Sequence, residues 1–217
     1  VLSVNTRDTN VILGDKYAAL WGRDWLEEEL CQLSFRLSVP SFFQINRAQT
    51  EVLYGVALDL AGLTGTETVL DLYCGIGAIS LALARRAGRV VGAEIVPQAI
   101  GDAKENARRN GIRNAEFFCG DAGAVAQKLG AEGVRPQVIC VDPPRRGLGP
   151  EVPAILAGMV PERIVYVSCD PATLARDVDR FAQIGYRAVK ALGRAEAVDL
   201  FPRTAHVETA CLLVREK

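Results

Sequence analysis

Cys169 stands in the run Val167-Ser168-Cys169-Asp170-Pro171, about one strand–helix unit after Val141-Asp142-Pro143-Pro144-Arg145-Arg146-Gly147. A thiolate attacks electron-poor carbon well, but few thiols are ionised at neutral pH unless their surroundings favour the anion. Pro171 can open a helix at its first turn, and the partial positive charge of a helix N-terminus would stabilise a thiolate at Cys169. Asp142 falls where a strand should end, in a loop stiffened by two prolines; its carboxylate could accept from a planar base while Arg145 or Arg146 engages phosphate. His206-Val207-Glu208 adds the chain's single histidine and a carboxylate on an otherwise apolar strand. The two polar side chains at i and i+2 are expected on one strand face. Glu208 is then the candidate general base, with His206 orienting.

A third block suggests a cofactor. Asp71-Leu72-Tyr73-Cys74-Gly75-Ile76-Gly77 ends a strand in a turn where Gly75 and Gly77 allow close backbone approach. Three acids close successive strands. Asp71 could meet a charged amino-acid moiety, Glu94 ribose hydroxyls, and Asp121 an adenine amino group. Any one alone would more often be a helix cap or a solvated loop acid. The full G-x-G-x-x-G is missing, because position 80 is Ser, so S-adenosyl-L-methionine is favoured over a nicotinamide dinucleotide.

The elements that must hold these residues alternate. From Thr68 onward, strands are expected at Thr68–Leu72, Arg89–Ala93, Ala115–Cys119, Gln137–Val141 and Arg163–Ser168. Helices are expected near Ile79–Ala87, Pro97–Asn110, Gly123–Leu129, Glu151–Met159 and Pro171–Phe181. Gly111 occupies the usual glycine position after a helix. Tyr186–Leu192 and Val207–Val214 break the alternation and should form an antiparallel pair at one edge. Upstream, Asn10–Leu13 and Leu33–Val39 read as strands of a β-rich piece, and Gln49–Ala61 as a helix leading into the sheet. The expected architecture is α/β, the mostly parallel, Rossmann-like seven-stranded sheet of class I methyltransferases. It divides into a small N-terminal segment at 1–45 and a catalytic domain at 46–217.

With 217 residues, 49% hydrophobic and 24% charged, the composition is that of a globular domain rather than a disordered chain. No apolar run approaches the roughly 20 residues of a membrane span, so no membrane partner is expected. The six cysteines are scattered, without a C-x-x-C, which disfavours zinc, a dithiol redox motif or a disulfide scaffold. Reduced thiols, a cytoplasmic location, no metal and a monomer are the expectations. Cys119, Cys140 and Cys211 are expected to be buried structural thiols, and Cys74 is ambiguous inside the turn. A net charge of −1 leaves any polyanion site to a local patch. The opening Val1-Leu2-Ser3-Val4-Asn5 reads as the interior of something longer, so a fragment or trimmed chain is expected.

The stretches Ser41-Phe42-Phe43-Gln44-Ile45-Asn46, Asp71–Gly77, Asp142–Gly147, Ser168–Asp177 and Phe201–Glu208 closely resemble, in order, those of the uracil-C5 RNA methyltransferase family, which makes 5-methyluridine in ribosomal or transfer RNA. The resemblance covers almost the whole chain from about Asn5. It implies that Gln44, Tyr73, Glu94 and Asp121 bind S-adenosylmethionine, that Asp142 borders the catalytic pocket on the cofactor side, that Cys169 is the nucleophile and that Glu208 removes the C5 proton. Ribosomal RNA is the first expectation for the substrate, with transfer RNA as the alternative. The family usually carries an N-terminal RNA-binding β-barrel and a full central domain, in some members with a four-cysteine iron–sulfur site. Neither is complete here, nothing here could form the cluster, and Ala78 stands where many members have a polar residue.

Two other readings compete. Amino-group methyltransferases use an Asp/Asn-Pro-Pro-aromatic loop, and Arg145 occupies the aromatic's place; RNA cytosine-C5 enzymes use a Pro-Cys loop that is absent. A cofactor- or RNA-binding module without activity is the non-enzymatic alternative.

Overall fold

A computed structural model describes residues 1–6, 8, 14, 16–189 and 195–216. Its centre is a mixed sheet in which β5 (Thr68–Leu72), β6 (Arg89–Glu94), β7 (Ala115–Cys119), β8 (Val138–Val141) and β9 (Arg163–Ser168) run parallel. Two further strands, β10 (Tyr186–Ala188) and β12 (Glu208–Arg215), complete the spatial order β10-β12-β9-β8-β5-β6-β7, with β12 antiparallel to both its neighbours. A short β11 (Glu196–Val198) pairs with the start of β12. This is the mostly parallel seven-stranded architecture that the alternating pattern predicts, with the antiparallel edge where expected; the spatial order itself is read from the structure.

The central strands are apolar on both faces because helices cover both. Leu70, Leu72, Ile139, Val141 and Ile164 pack against α4 (Ala122–Ala131), α5 (Val152–Gly158) and α6 (Pro171–Ala182). Val69, Val90, Val138 and Val165 face α1 (Arg47–Ala61), α2 (Ala78–Ala84) and α3 (Pro97–Arg109). Local signals set the helix ends. Asn46 caps α1 by accepting from the Gln49 amide, and Asp170 caps α6 by accepting from Ala172 and Thr173. Gly111, at φ 66°, closes α3 as the Ile112 amide reaches back to the Ala107 carbonyl.

Upstream lie two hairpins, β1 (Leu2–Val4) with β2 (Lys16–Ala18), and β3 (Trp25–Leu30) with β4 (Leu33–Ser38). The first two strands and β3 are not among the sequence expectations, and the strand expected at Asn10–Leu13 lies outside the described residues. Most of β3 reads Leu-Glu-Glu-Glu and is exposed, so no apolar alternation marks it. On the second hairpin Leu30, Leu33, Phe35 and Leu37 join the same core as α1 to α3.

The outer edge of β4 is satisfied by side chains of α3. Asp102, Asn106 and Asn110 accept from the backbone amides of Ser38, Arg36 and Ser34 in turn, at 2.9, 2.7 and 2.9 Å. Four residues of helix advance about 6 Å and two of strand about 6.7 Å, so the two repeats stay in step over three contacts. The helix acts as a neighbouring strand and leaves no free edge.

Candidate active site

The carboxyl ends of β5, β8 and β9 and the start of β12 converge. Ser168 pairs with Thr209 across β9 and β12, so one antiparallel step beyond lie Cys169 and Glu208. Cys169 sits between the end of β9 and Pro171, the first residue of α6, as expected, and is half-buried. Ser168 Oγ bonds both the amide and the carbonyl of Asp170 and so fixes the tight turn around the cysteine.

The thiol is not lowered as the helix-start argument predicts. Burial, then the nearby Glu208 and Asp142 carboxyls, push it up, while Arg145 pulls it down. Burial, aided by the two acids, outweighs Arg145, so the neutral thiol is favoured and a base is needed to ionise it. Glu208 is 2% exposed, and its Oε2 has no hydrogen-bond partner. Burial pushes this carboxyl up to about 7. Asp142 is pushed to about 8 by burial, then by Glu208 and Asp71; its amide donates to the Leu72 carbonyl. Asp142 and Glu208 thus crowd the end of the sheet beside Cys169, both raised toward neutral pH by burial.

His206 departs from expectation. Strand β12 begins at Glu208, so His206 lies ahead of it, exposed, in a loop rather than on a strand face. Its amide is tied to Thr204 Oγ1, its ring stands edge-on to Phe201, and Nε2 meets Arg145 Nη2 at 3.1 Å. The two residues still close one side of the site. Arg145 and Arg146 are exposed at its mouth.

The glycine turn forms as predicted. Gly75 and Gly77 adopt φ 54° and 83°, and a Cβ on Gly77 would stand 3.1 Å from the Phe117 ring. Tyr73 also takes a left-handed φ of 66°, a strained conformation for a non-glycine residue. Asp71 is 1% exposed and bonded to Ser80 Oγ. Burial raises its carboxyl to about 7, against the pull of the Ser80 hydroxyl. Ser80, which fills the third glycine's place, is a site residue the sequence reading missed; its only signal is a hydroxyl in an otherwise apolar helix. Glu94 accepts from the amides of Gly75 and Val96, and Asp121 from Ala124 as the cap of α4. Both carboxylates therefore have structural work, with Asp121 still exposed to whatever lies over the turn.

Gln44 is on the loop between β4 and α1. Its Oε1 is buried without a partner. The Ser38 and Ser41 hydroxyls, both bonded to Asp102, hold one end of that loop. Asn46 Nδ2 donates to the Leu200 carbonyl and ties the other end to the segment ahead of β12. Of the thiols expected to be structural, Cys140 and Cys211 are buried, but Cys119 is exposed, because β7 is the sheet's edge strand; the ambiguous Cys74 is also buried. Among the described residues, no group of three or more His, Cys, Asp or Glu is placed to hold a metal ion, and no helix is long and apolar enough to cross a membrane.

The strand order and the glycine turn define a class I methyltransferase fold. An S-adenosylmethionine-dependent methyltransferase from Agrobacterium tumefaciens shares it at a TM-score of 0.62 over 90% of this chain and 71% of its own, with only 18% identity. The family model for tRNA (uracil-5-)-methyltransferase matches residues 7–216, and the chain belongs to that family. An uncharacterized RNA methyltransferase of Halalkalibacterium halodurans is 49% identical over 98% of this chain and 46% of its own length. One from Lactiplantibacillus plantarum is 48% identical over 100% of this chain and 47% of its own. The chain thus spans just under half the length of these relatives. The Pyrococcus abyssi tRNA (uracil-54, C5)-methyltransferase, solved with S-adenosyl-L-homocysteine, superposes at a TM-score of 0.79 with 33% identity, over 98% of this chain and 50% of that one.

Proposed function

We propose that this chain carries the catalytic centre of an enzyme that methylates C5 of a uridine in RNA, with S-adenosyl-L-methionine as the methyl source and Cys169 as a covalent catalyst. The observation that carries this reading is the adjacency of Cys169 and the buried, half-unpartnered Glu208 across β9 and β12. The site fits the cofactor on three counts: the left-handed glycine turn, the unpartnered Gln44 Oε1, and acids at the ends of β5, β6 and β7. Gln44, Asp71, Tyr73, Gly75, Gly77, Glu94 and Asp121 would hold it, with Asp142 between it and the base. When bound, it supplies an electrophilic methyl group.

Uracil C5 is a poor nucleophile until something adds to C6. The Asp142 carboxylate takes the Cys169 proton, which leaves Glu208 free for the later step. The thiolate adds to C6, and the ring electrons become an enolate with its nucleophilic carbon at C5. After C5 has gained the methyl group, Glu208 takes the C5 proton, the C5–C6 double bond re-forms, and the thiolate leaves. Arg145, Arg146 and His206 face the nucleotide's phosphate and base at the mouth, and the uridine must leave any stack to enter. Ribosomal and transfer RNA are both candidate substrates; the family and the Pyrococcus relative favour transfer RNA, against the sequence-based preference for ribosomal RNA. We treat residues 1–45 as part of a β-rich segment and 46–217 as the catalytic domain of a cytoplasmic protein.

Replacing Cys169 with Ala should abolish methylation while S-adenosylhomocysteine affinity, read by calorimetry, stays within about twofold. Retained turnover would overturn the covalent scheme and favour direct transfer.

A further inference from the structure

Helix α6 does more than start behind the nucleophile. One turn and a half along it, Asp177 is fully buried, and its carboxylate is shared among five contacts. The Leu148 amide and the Tyr166 hydroxyl each donate to Oδ2 at 2.8 Å. Arg176 binds through Nε at 3.0 Å and Nη2 at 3.2 Å, and Arg180 through Nη1 at 2.9 Å. The same helix then grips the second half of the Asp142–Leu148 loop, from Arg145 onward. Thr173 Oγ1 donates to the Arg145 carbonyl, Arg176 Nη2 to the Arg146 carbonyl, and Arg180 Nη1 to the Leu148 carbonyl. Gly147, at φ 72°, is pressed into this cluster so closely that a Cβ would stand 2.5 Å from Asp177 Oδ2. Burial alone would raise the Asp177 carboxyl, but the Arg176 guanidinium, the Leu148 amide and the Tyr166 hydroxyl together hold it below its ordinary range.

An ion pair needed only for stability would have no reason to reach the loop carbonyls of Arg146 and Leu148 as well. These contacts join two pieces of the site. Cys169 leads into α6, while Asp142, Arg145 and Arg146 ride on the loop that α6 holds. We propose that Asp177 is a positioning residue: with Arg176, Arg180 and Tyr166 it clamps the Asp142–Leu148 loop to the helix that follows Cys169, and so sets the distance between the nucleophile and the groups that activate it and receive the nucleotide. The amides of Gly75 and Gly77 in the cofactor turn bond instead to Glu94 and to the Cys74 carbonyl, while Tyr73 of the same turn lies within electrostatic reach of Arg146 and Asp177. This inference rests on the reading of Cys169 as the nucleophile.

The prediction is a split between kinetic constants. With saturating RNA lacking 5-methyluridine, Asp177→Asn keeps the shape of the side chain but weakens its hold on both guanidinium groups, and kcat should fall about 100-fold, the scale of an ångström-sized misplacement of reacting groups. KM for S-adenosylmethionine should stay within about twofold. Tyr166→Phe removes one contact and should lower kcat by about tenfold with the same unchanged KM. A folded Asp177→Asn variant with wild-type kcat overturns the proposal, as does a parallel loss of kcat and cofactor affinity. Should Asp177→Asn fail to fold, Tyr166→Phe decides by the same split. A wild-type protein that turns over yet never captures 5-fluorouridine RNA would instead overturn the covalent reading, and kcat of the variants would still judge the clamp.

Discussion

Glu208 illustrates how a residue can be placed against its own stability. Its carboxyl is buried at the start of β12 with one oxygen unpartnered, and burial lifts it from 4.5 to about 7. Below pH 4.5 it is neutral in both the folded and the unfolded chain and costs nothing. As pH rises through 4.5 to 7, the unfolded chain gives up its proton more readily than the folded one, and stability is lost; above 7 the loss is constant at roughly 3 kcal/mol. Glu208→Gln should therefore raise the melting temperature at pH 8.5 and leave it nearly unchanged at pH 4.5, read by differential scanning calorimetry. The same variant should stall after methyl transfer and accumulate as protein covalently bound to methylated RNA, a cofactor-dependent slow band on a denaturing gel. Normal turnover without that band would move the base to a water held by Asp142. Sequence alone singled out Glu208 as the candidate base, because a carboxylate in an apolar run has few structural reasons to be there, and the structure buries it with one oxygen unpartnered. Sequence could not show that Asp71 bonds to Ser80, because that contact depends on how α2 lies over β5.

Among the elements, α3 links the two ends of the cofactor-side region. Asn106 accepts from the Arg36 amide, and its Nδ2 donates to the carbonyls of Arg36 and Ile76, so one side chain holds both β4 and the glycine turn. The loop bearing Gln44 continues from the same strand. Asn106→Ala would leave buried backbone groups without partners, at about 2 kcal/mol of stability. It should also weaken S-adenosylhomocysteine binding several-fold, measured by calorimetry. Unchanged affinity would mean that the hairpin and the turn are positioned independently. The spacing Asp102, Asn106, Asn110 is visible in the sequence as a polar row at four-residue intervals. Its function was not, since a polar row on a helix ordinarily faces water. The doubly covered strands β5, β6, β8 and β9 were legible to within a residue or so, because burial on both faces writes continuous apolar runs. Strand β11 has three residues and β3 is largely glutamate, so neither writes such a run.

For the whole molecule, the sheet order brings strand ends from across the chain to one edge, and every proposed catalytic group lies on that edge. Asp142 and Cys169 follow neighbouring parallel strands, while Glu208 arrives by the antiparallel return of β12; the fold supplies this convergence before any substrate is considered. Because the chain spans just under half the length of the curated relatives it matches, RNA should be supplied at high concentration whenever this chain is assayed by itself. The central claim is that Cys169 bonds to uracil C6 during the reaction. Incubation with 5-fluorouridine-containing RNA and S-adenosylmethionine, followed by nuclease digestion and mass spectrometry of the peptides, measures it directly. Fluorine at C5 cannot be removed as a proton would be, so the account predicts a Cys169 peptide carrying one methylated fluorouridine nucleotide. Methylation of ordinary RNA with no such peptide, or the adduct on another residue, would contradict it.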